Sequence, residues 1–192
     1  AHPGRRSVAA GRRGGVRRDG GRRRRQRVGP VDLLGAGGTS AVTSVLLKVE
    51  GAGNDFLLGV GGWAERIATD PELVRRLCRR HRGIGADGAL AMRRLAIDRV
   101  ELVYRNADGG EATFCANGTR CAARVAVDRL GCRPSLRLLT GAGEIPAVVH
   151  GDRVTLRLPP PGDSPRDLAL GADGTTWRGS LLVVGVPHLV VP

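Results

Sequence analysis

The sequence predicts an α+β fold in which a mixed or antiparallel sheet wraps around one buried helix. Three observations carry this. Short β-rich runs bounded by Gly, Pro, Asn or Asp recur from residue 45 onward. One segment, residues 117–130, is apolar on most faces of a helix and is followed by Gly131 as a stop signal. Strands outnumber helices, and no short-period repeat runs along the chain. With 192 residues of which 41% are hydrophobic, there is apolar material for one sizeable core or two small ones.

The elements follow in order. Residues 45–49 form a β-rich run, and Gly51, Ala52 and Gly53 turn it into a second strand through Phe56, Leu57 and Leu58. Asp70 is a cap and Pro71 suits a first helical position; Leu73, Val74, Leu77 and Cys78 make an apolar stripe predicted to end at Gly83. Residues 83–88 read as a tight turn, 100–104 as a strand, and 106–110 as a turn of residues that tolerate left-handed backbone. After the central helix, strands are predicted at 136–139, 145–149, 154–158 and 181–184.

Charge is unevenly placed. Of the net +13, residues 1–43 carry +9, from 11 Arg against Asp19 and Asp32, and residues 44–192 carry +4. Residues 1–43 lack apolar periodicity and are predicted to be a disordered Arg/Gly-rich extension. An arm that neutralises RNA phosphates is one reading of it, but block charge alone is a weak signal, and a solvated extension is preferred. Aromatics at 3% argue against a stacking platform for single strands, and specific nucleic-acid binding is not expected. No run of about 18 uncharged apolar residues exists to form a membrane-spanning helix. The segment 31–47 is broken by glycines and does not read as a secretory signal.

Cys78, Cys115, Cys121 and Cys132 include no Cys-x-x-Cys pair and no matched His, which argues against a zinc site. A reducing compartment is the expected setting. Cys78 and Cys121 fall on helix stripes as small core residues, and Cys132 carries no clear signal. Cys115 stands at the predicted start of the central helix, where free N–H groups and the positive dipole end favour a thiolate that can act as nucleophile or base; packing under the helix is the equal alternative from residue type alone.

The company Cys115 keeps separates the two. Gly53-Asn54-Asp55-Phe56, the stretch from Arg80-His81-Arg82-Gly83 through Ile84-Gly85-Ala86-Asp87-Gly88, Tyr104-Arg105-Asn106-Ala107-Asp108-Gly109, Cys115-Ala116-Asn117-Gly118-Thr119-Arg120-Cys121, Thr140-Gly141-Ala142-Gly143 and Gly185-Val186-Pro187-His188 resemble, in order and spacing, the diaminopimelate epimerase family. The resemblance runs from about residue 45 to Pro192 and leaves residues 1–43 outside.

It implies two similar lobes, each a sheet around a central helix, with the site in the cleft between them. It further implies a cofactor-independent epimerisation of LL- to meso-diaminopimelate, in lysine and peptidoglycan precursor synthesis, by one cysteine from each lobe. Cys115 matches the acid/base cysteine of the first lobe. Asn54 and Asn106 match substrate-binding asparagines; turn chemistry is the alternative for both. Ala116 and Asn117 match the segment that cradles a carboxylate at the helix start. The family usually has Gly at 116, so Ala116 requires a negative φ. His81 is expected near a helix C-terminus, favouring its dipole rather than catalysis. The family is compatible with a homodimer and a cytoplasmic location.

Two departures stand out. Val186 replaces the usual Asn of a Gly-Asn-Pro-His motif. The chain has no cysteine beyond Cys132, and the family's Glu-Arg segment is absent from it. The expected organisation is therefore 1–43 extension, 44–158 first lobe, and 159–192 the start of an incomplete second lobe, in a chain that is either a fragment or a short product and is expected to be inactive alone. The rival readings are a proline racemase-like enzyme, whose family usually has His where Asn117 stands, and a non-enzymatic one-lobed or RNA-binding remnant.

Overall fold

The computed structural model describes residues 44–161, 166–172, 174–184 and 186–191. The Arg-rich segment 1–43 and Gly185 of the last motif lie outside the described residues. Among the described residues eight strands form one mixed sheet, and three more form a second, antiparallel one.

Strands β1 (Val45–Gly51) and β2 (Asn54–Val60) make an antiparallel hairpin. Ala52 and Gly53 turn the corner with positive φ. The chain then crosses the outside of the sheet as helices α1 (Gly62–Thr69) and α2 (Pro71–Cys78) and returns as β3 (Gly88–Ala96), parallel to β2. Next, β4 (Arg99–Asn106) pairs antiparallel with β3 and carries the short β5 (Glu111–Ala112). Helix α3 (Ala116–Leu130) crosses the inside, and β6 (Ser135–Thr140) follows parallel to β4. Strands β7 (Gly143–His150) and β8 (Arg153–Leu156) close the order β1-β2-β3-β4-β6-β7-β8.

The two faces of this sheet hold two cores, because successive side chains on a strand point to opposite sides. Inward, Val49, Phe56, Leu58, Leu90, Met92 and Leu138 pack on the Cys121, Ala122, Val125 and Ala126 face of α3. Outward, Leu46, Leu57, Ala89 and Ala91 meet Ala64 and Ile67 of α1 and Val74 and Cys78 of α2. Small residues on α3 let its backbone approach the strands; Ala122, Ala123 and Ala126 are fully buried.

Strands β9 (Arg166–Ala172), β10 (Thr175–Val184) and β11 (Val186–Val190) form the second sheet, in the order β11-β10-β9. Its pairing puts Trp177 beside Leu170 and Leu181 beside Leu189, on one apolar face. Among the described residues no helix is long and apolar enough to cross a membrane.

Several sequence expectations hold. Asp70 caps α2 by accepting from the Leu73 amide at 2.8 Å with Pro71 first in the helix, Gly131 ends α3 in the left-handed region, and the hairpin and later strands fall near the predicted runs, with β8 ending at Leu156 and β10 beginning already at Thr175. Four points differ. Helix α2 stops at Cys78 instead of running to Gly83, because the carbonyls of Leu77 and Cys78 accept from the amides of Gly85 and Ala86 as the chain folds back. Gly83 is pressed so close that a Cβ there would lie 2.2 Å from the Arg76 carbonyl oxygen. His81 consequently sits past the helix in an exposed turn at φ 68°, not in the helix's last turn. The predicted turn 83–88 ends early, since Gly88 already begins β3. Helix α1 and strands β3, β5, β9 and β11 have no counterpart in the sequence reading.

Enlarging the helix face that the sheet grips is expected to be costly. Ala122→Leu should overpack this site and lower stability by about 1–3 kcal/mol, read as a lower urea midpoint at unchanged slope.

Candidate functional site

The start of α3 and the near ends of β2, β3 and β4 come together. Cys115 is the N-cap, in extended backbone, and its Sγ accepts from the Gly118 amide at 3.4 Å. Its carbonyl oxygen takes both the amide and the hydroxyl of Thr119, each at 2.8 Å, so the cap residue is held at both ends. A cap of this kind satisfies one of the helix's free donors with sulfur and leaves others open to an anion. Cys115 is half-buried: its side chain packs on the inner core while remaining reachable.

Asn54 opens β2, and its Oδ1 accepts from Asn117 Nδ2 at 2.7 Å, so two of the sequence-predicted residues touch directly. Asn117 Oδ1 accepts from Arg120 at 3.0 Å. Ala116, first residue of α3, has none of the positive φ that would have demanded glycine. Asn106 ends β4 opposite Gly88, on the same edge of the sheet. Its backbone closes the 106–110 turn, with its amide donating to Gly110 at 2.8 Å and its carbonyl accepting from Gly109 at 2.9 Å, while its exposed side chain has no hydrogen bond among the described residues. The turn reading of Asn106 is thus met by its backbone, and its side chain is left uncommitted at the sheet edge.

Behind Asn54 lies an ion cluster that the sequence reading missed, having treated Asp87 only as a turn residue. Asp87 accepts from Asn54 Nδ2 and from the Asp55 amide, both at 3.1 Å. The Arg80 guanidinium bridges Asp55 and Asp87 at 2.8 Å each, and Lys48, the one lysine, pairs with Asp55 at 2.9 Å and also donates to the Gly85 carbonyl. For Asp55, partial burial pushes the carboxyl up, but the bonds from Arg80 and Lys48 outweigh it and hold it well below the usual carboxylate range. The hydrogen bond from Asn54 lowers the Asp87 carboxyl, helped by the Asp55 amide and Arg80. The signal that could have exposed this cluster is weak: two acids and two bases scattered over 40 residues.

Tyr104 was also underrated. It packs edge-on against Phe56, with ring centroids 6.0 Å apart, and burial, followed by the charge of Cys115, pushes its phenol up to about 12. Of the other thiols, burial raises Cys78 to about 11 and Cys121 to about 12 and raises Cys132 as well, which suits inert packing and agrees with the core reading of the first two. An open groove of about 600 Å³ runs between α1 and the outer face of β3, lined by residues such as Ala64, Ala68, Ala91 and Val103; its lining includes none of the site residues above.

Residues 46–158 match the family model described as Diaminopimelate epimerase. The chain belongs to the diaminopimelate epimerase family. It is 35% identical over 156 residues to the diaminopimelate epimerase of Aquifex aeolicus, covering 76% of this chain and 56% of that one. It is 38% identical over 146 residues to that of a Nitratiruptor species, covering 76% and 55%. The chain spans a little over half the length of the curated relatives it matches. Among solved structures, a probable proline racemase from Agrobacterium radiobacter aligns with TM-score 0.59 at 21% identity, over 78% of this chain and 52% of that one. A hydroxyproline epimerase from Agrobacterium vitis aligns with TM-score 0.56 at 19% identity, over 76% and 50%. These two establish a shared fold, an α+β lobe with a curled mixed sheet.

The folded chain should show a stability plateau bounded on both sides. Asp55 and Asp87 bind fewer protons folded than unfolded, so their contribution is present above about pH 4 and is lost as pH falls below it. Cys78 and Cys121 hold their protons when folded, so stability declines as pH rises from about 9 through their folded values of about 11 and 12. Urea midpoints measured against pH should trace both limbs, and Asp87→Asn should flatten the acid one.

Proposed function

We propose that the protein epimerises LL-diaminopimelate to meso-diaminopimelate without a cofactor, with Cys115 as one of two acid/base groups. The observation that carries this reading is Cys115 as the cap of α3, beside the linked amides of Asn54 and Asn117. In the proposed step the Cys115 thiolate takes the α-proton, and the electron pair left on carbon spreads into the adjacent carboxylate. A thiol on the opposite face then returns a proton, so that configuration changes while composition does not. In the reverse direction Cys115 is the donor.

The difficulty of this chemistry is the weak acidity of the α-carbon. Donors fixed in advance at the place where negative charge grows are the standard remedy, and they act more strongly where water is excluded. Here the free N–H groups at residues 116 and 117 and the side-chain amides of Asn54 and Asn106 are the proposed donors to substrate carboxylates. Asn106, with its unengaged side chain at the site edge, is the group placed to meet the far end of a long substrate.

Residues 44–158 then act as the first lobe, and the strands from Arg166 onward begin the second. This chain carries one base of the two, so the 192-residue chain by itself is expected to show no turnover. A proline racemase-like activity is the second reading; Asn117, where those enzymes usually have His, disfavours it. A cytoplasmic setting and a homodimer are both compatible with the family.

In the complete protein, Cys115→Ser should lower epimerisation and α-proton exchange with deuterium oxide by at least a thousandfold while the melting temperature stays within a few degrees, since serine preserves the cap. Retained exchange would reassign Cys115 to packing. The uncut specificity is read in the same assay by offering proline beside LL-diaminopimelate.

A further inference from the structure

The polar groups around Asn54 form a directed chain rather than a loose cluster. At one end is the Asp87 carboxylate, which when ionised can only accept hydrogen bonds. Its Oδ2 accepts from Asn54 Nδ2 at 3.1 Å, which turns the Asn54 carbonyl oxygen away, toward Asn117. Asn117 must then donate from Nδ2, at 2.7 Å, and its Oδ1 is left to accept from Arg120, at 3.0 Å. A guanidinium can only donate, so the two ends agree on a single orientation for both amides.

We propose that Asp87 is a positioning residue of the site, whose carboxylate sets the amide orientation of Asn54 and, through Asn54, that of Asn117 in the first turn of α3. Asp87 touches neither Cys115 nor the open N–H groups of the helix. It is itself pinned by its own amide, which donates to both the carbonyl and the side chain of Asp55, at 2.9 and 3.0 Å, and by Arg80 on its other oxygen at 2.8 Å. Lys48 and Arg80 balance the two acids, so the charge of Asp87 is kept without reaching into the site.

The orientation has a chemical consequence. With Asn54 and Asn117 locked this way, each carbonyl oxygen has a partner and each side chain keeps one N–H uncommitted. The pair therefore faces a ligand as hydrogen-bond donors, which selects a carboxylate group over an ammonium group. A neutral group at 87 would let Asn54 rotate and present its oxygen instead, weakening binding of the anionic group that the neighbouring thiol must be aligned with.

The inference concerns the same site as the epimerase reading, and its kinetic arm rests on that reading; its spectroscopic arm does not. In the complete protein, Asp87→Asn should lower kcat for LL-diaminopimelate at least tenfold and, with asparagine labelled with nitrogen-15, move the side-chain amide resonances of both Asn54 and Asn117. Asp87→Glu, which keeps the charge, should recover part of the lost kcat. A loss under tenfold, an unmoved Asn117 amide, no recovery with Glu, or failure of both variants to fold would each overturn the proposal. If the wild-type protein epimerises nothing, the functional reading fails, and the two resonances alone decide the role of Asp87.

Discussion

The burial of α3 inside the curl of the sheet is the constraint on which the rest of the lobe depends. A helix enclosed on most sides has to satisfy its first four N–H groups at one exposed end, and here that end is the edge of β2, β3 and β4. One donor is met by the Cys115 sulfur, and the Thr119 hydroxyl ties the cap carbonyl. The sheet can close this tightly because α3 presents Ala122, Ala123 and Ala126 where Leu47, Leu58 and Leu138 press against it. Mixed pairing follows from the same arrangement: a crossover on the outside by α1 and α2 makes β3 parallel to β2, and a crossover on the inside by α3 makes β6 parallel to β4.

Most of the charge near the start of α3 is paired off. Lys48, Asp55, Arg80 and Asp87 neutralise one another in a half-exposed cluster one residue layer behind Asn54, while the Arg120 guanidinium stands at the site itself, bonded to Asn117. Exposed ion pairs of this kind add little stability individually, so their use lies in geometry more than in energy. The thiol itself accepts from a backbone donor, the Gly118 amide. Arg105 performs a similar service on the outer face, donating from β4 to the Ile67 carbonyl at 2.9 Å, and to that of Ala68, so that the short α1 ends on a fixed cation.

The departures from the family pattern read differently once the fold is in view. Ala116 is harmless, because the first helical residue needs no left-handed backbone. Val186 opens β11 and pairs with Val184 across the hairpin, so an apolar side chain occupies the strand start where the family usually places an amide.

Local signals legible in the sequence were those that a few neighbouring residues settle among themselves. Asp70-Pro71 begins a helix, Gly131 ends one, and Cys115 stands at the start of α3, since helix ends are decided within a turn. The run of β-rich segments around one apolar helix likewise determined the fold class, and six ordered motifs determined the family. Other features were hidden because they depend on what covers them. Strand β3 lacks polar alternation, having Ala89 and Ala91 under the outer helices and Leu90 and Met92 over α3, and α1 hides behind Gly61-Gly62 with only Ala64 and Ile67 buried. Helix α2 is cut short by amides from seven or more residues further on. Only the tertiary structure could join Asp87 to Asn54 and Asn54 to Asn117, because those bonds span 33 and 63 residues and exist only when parallel strands and a crossing helix bring their ends to one edge.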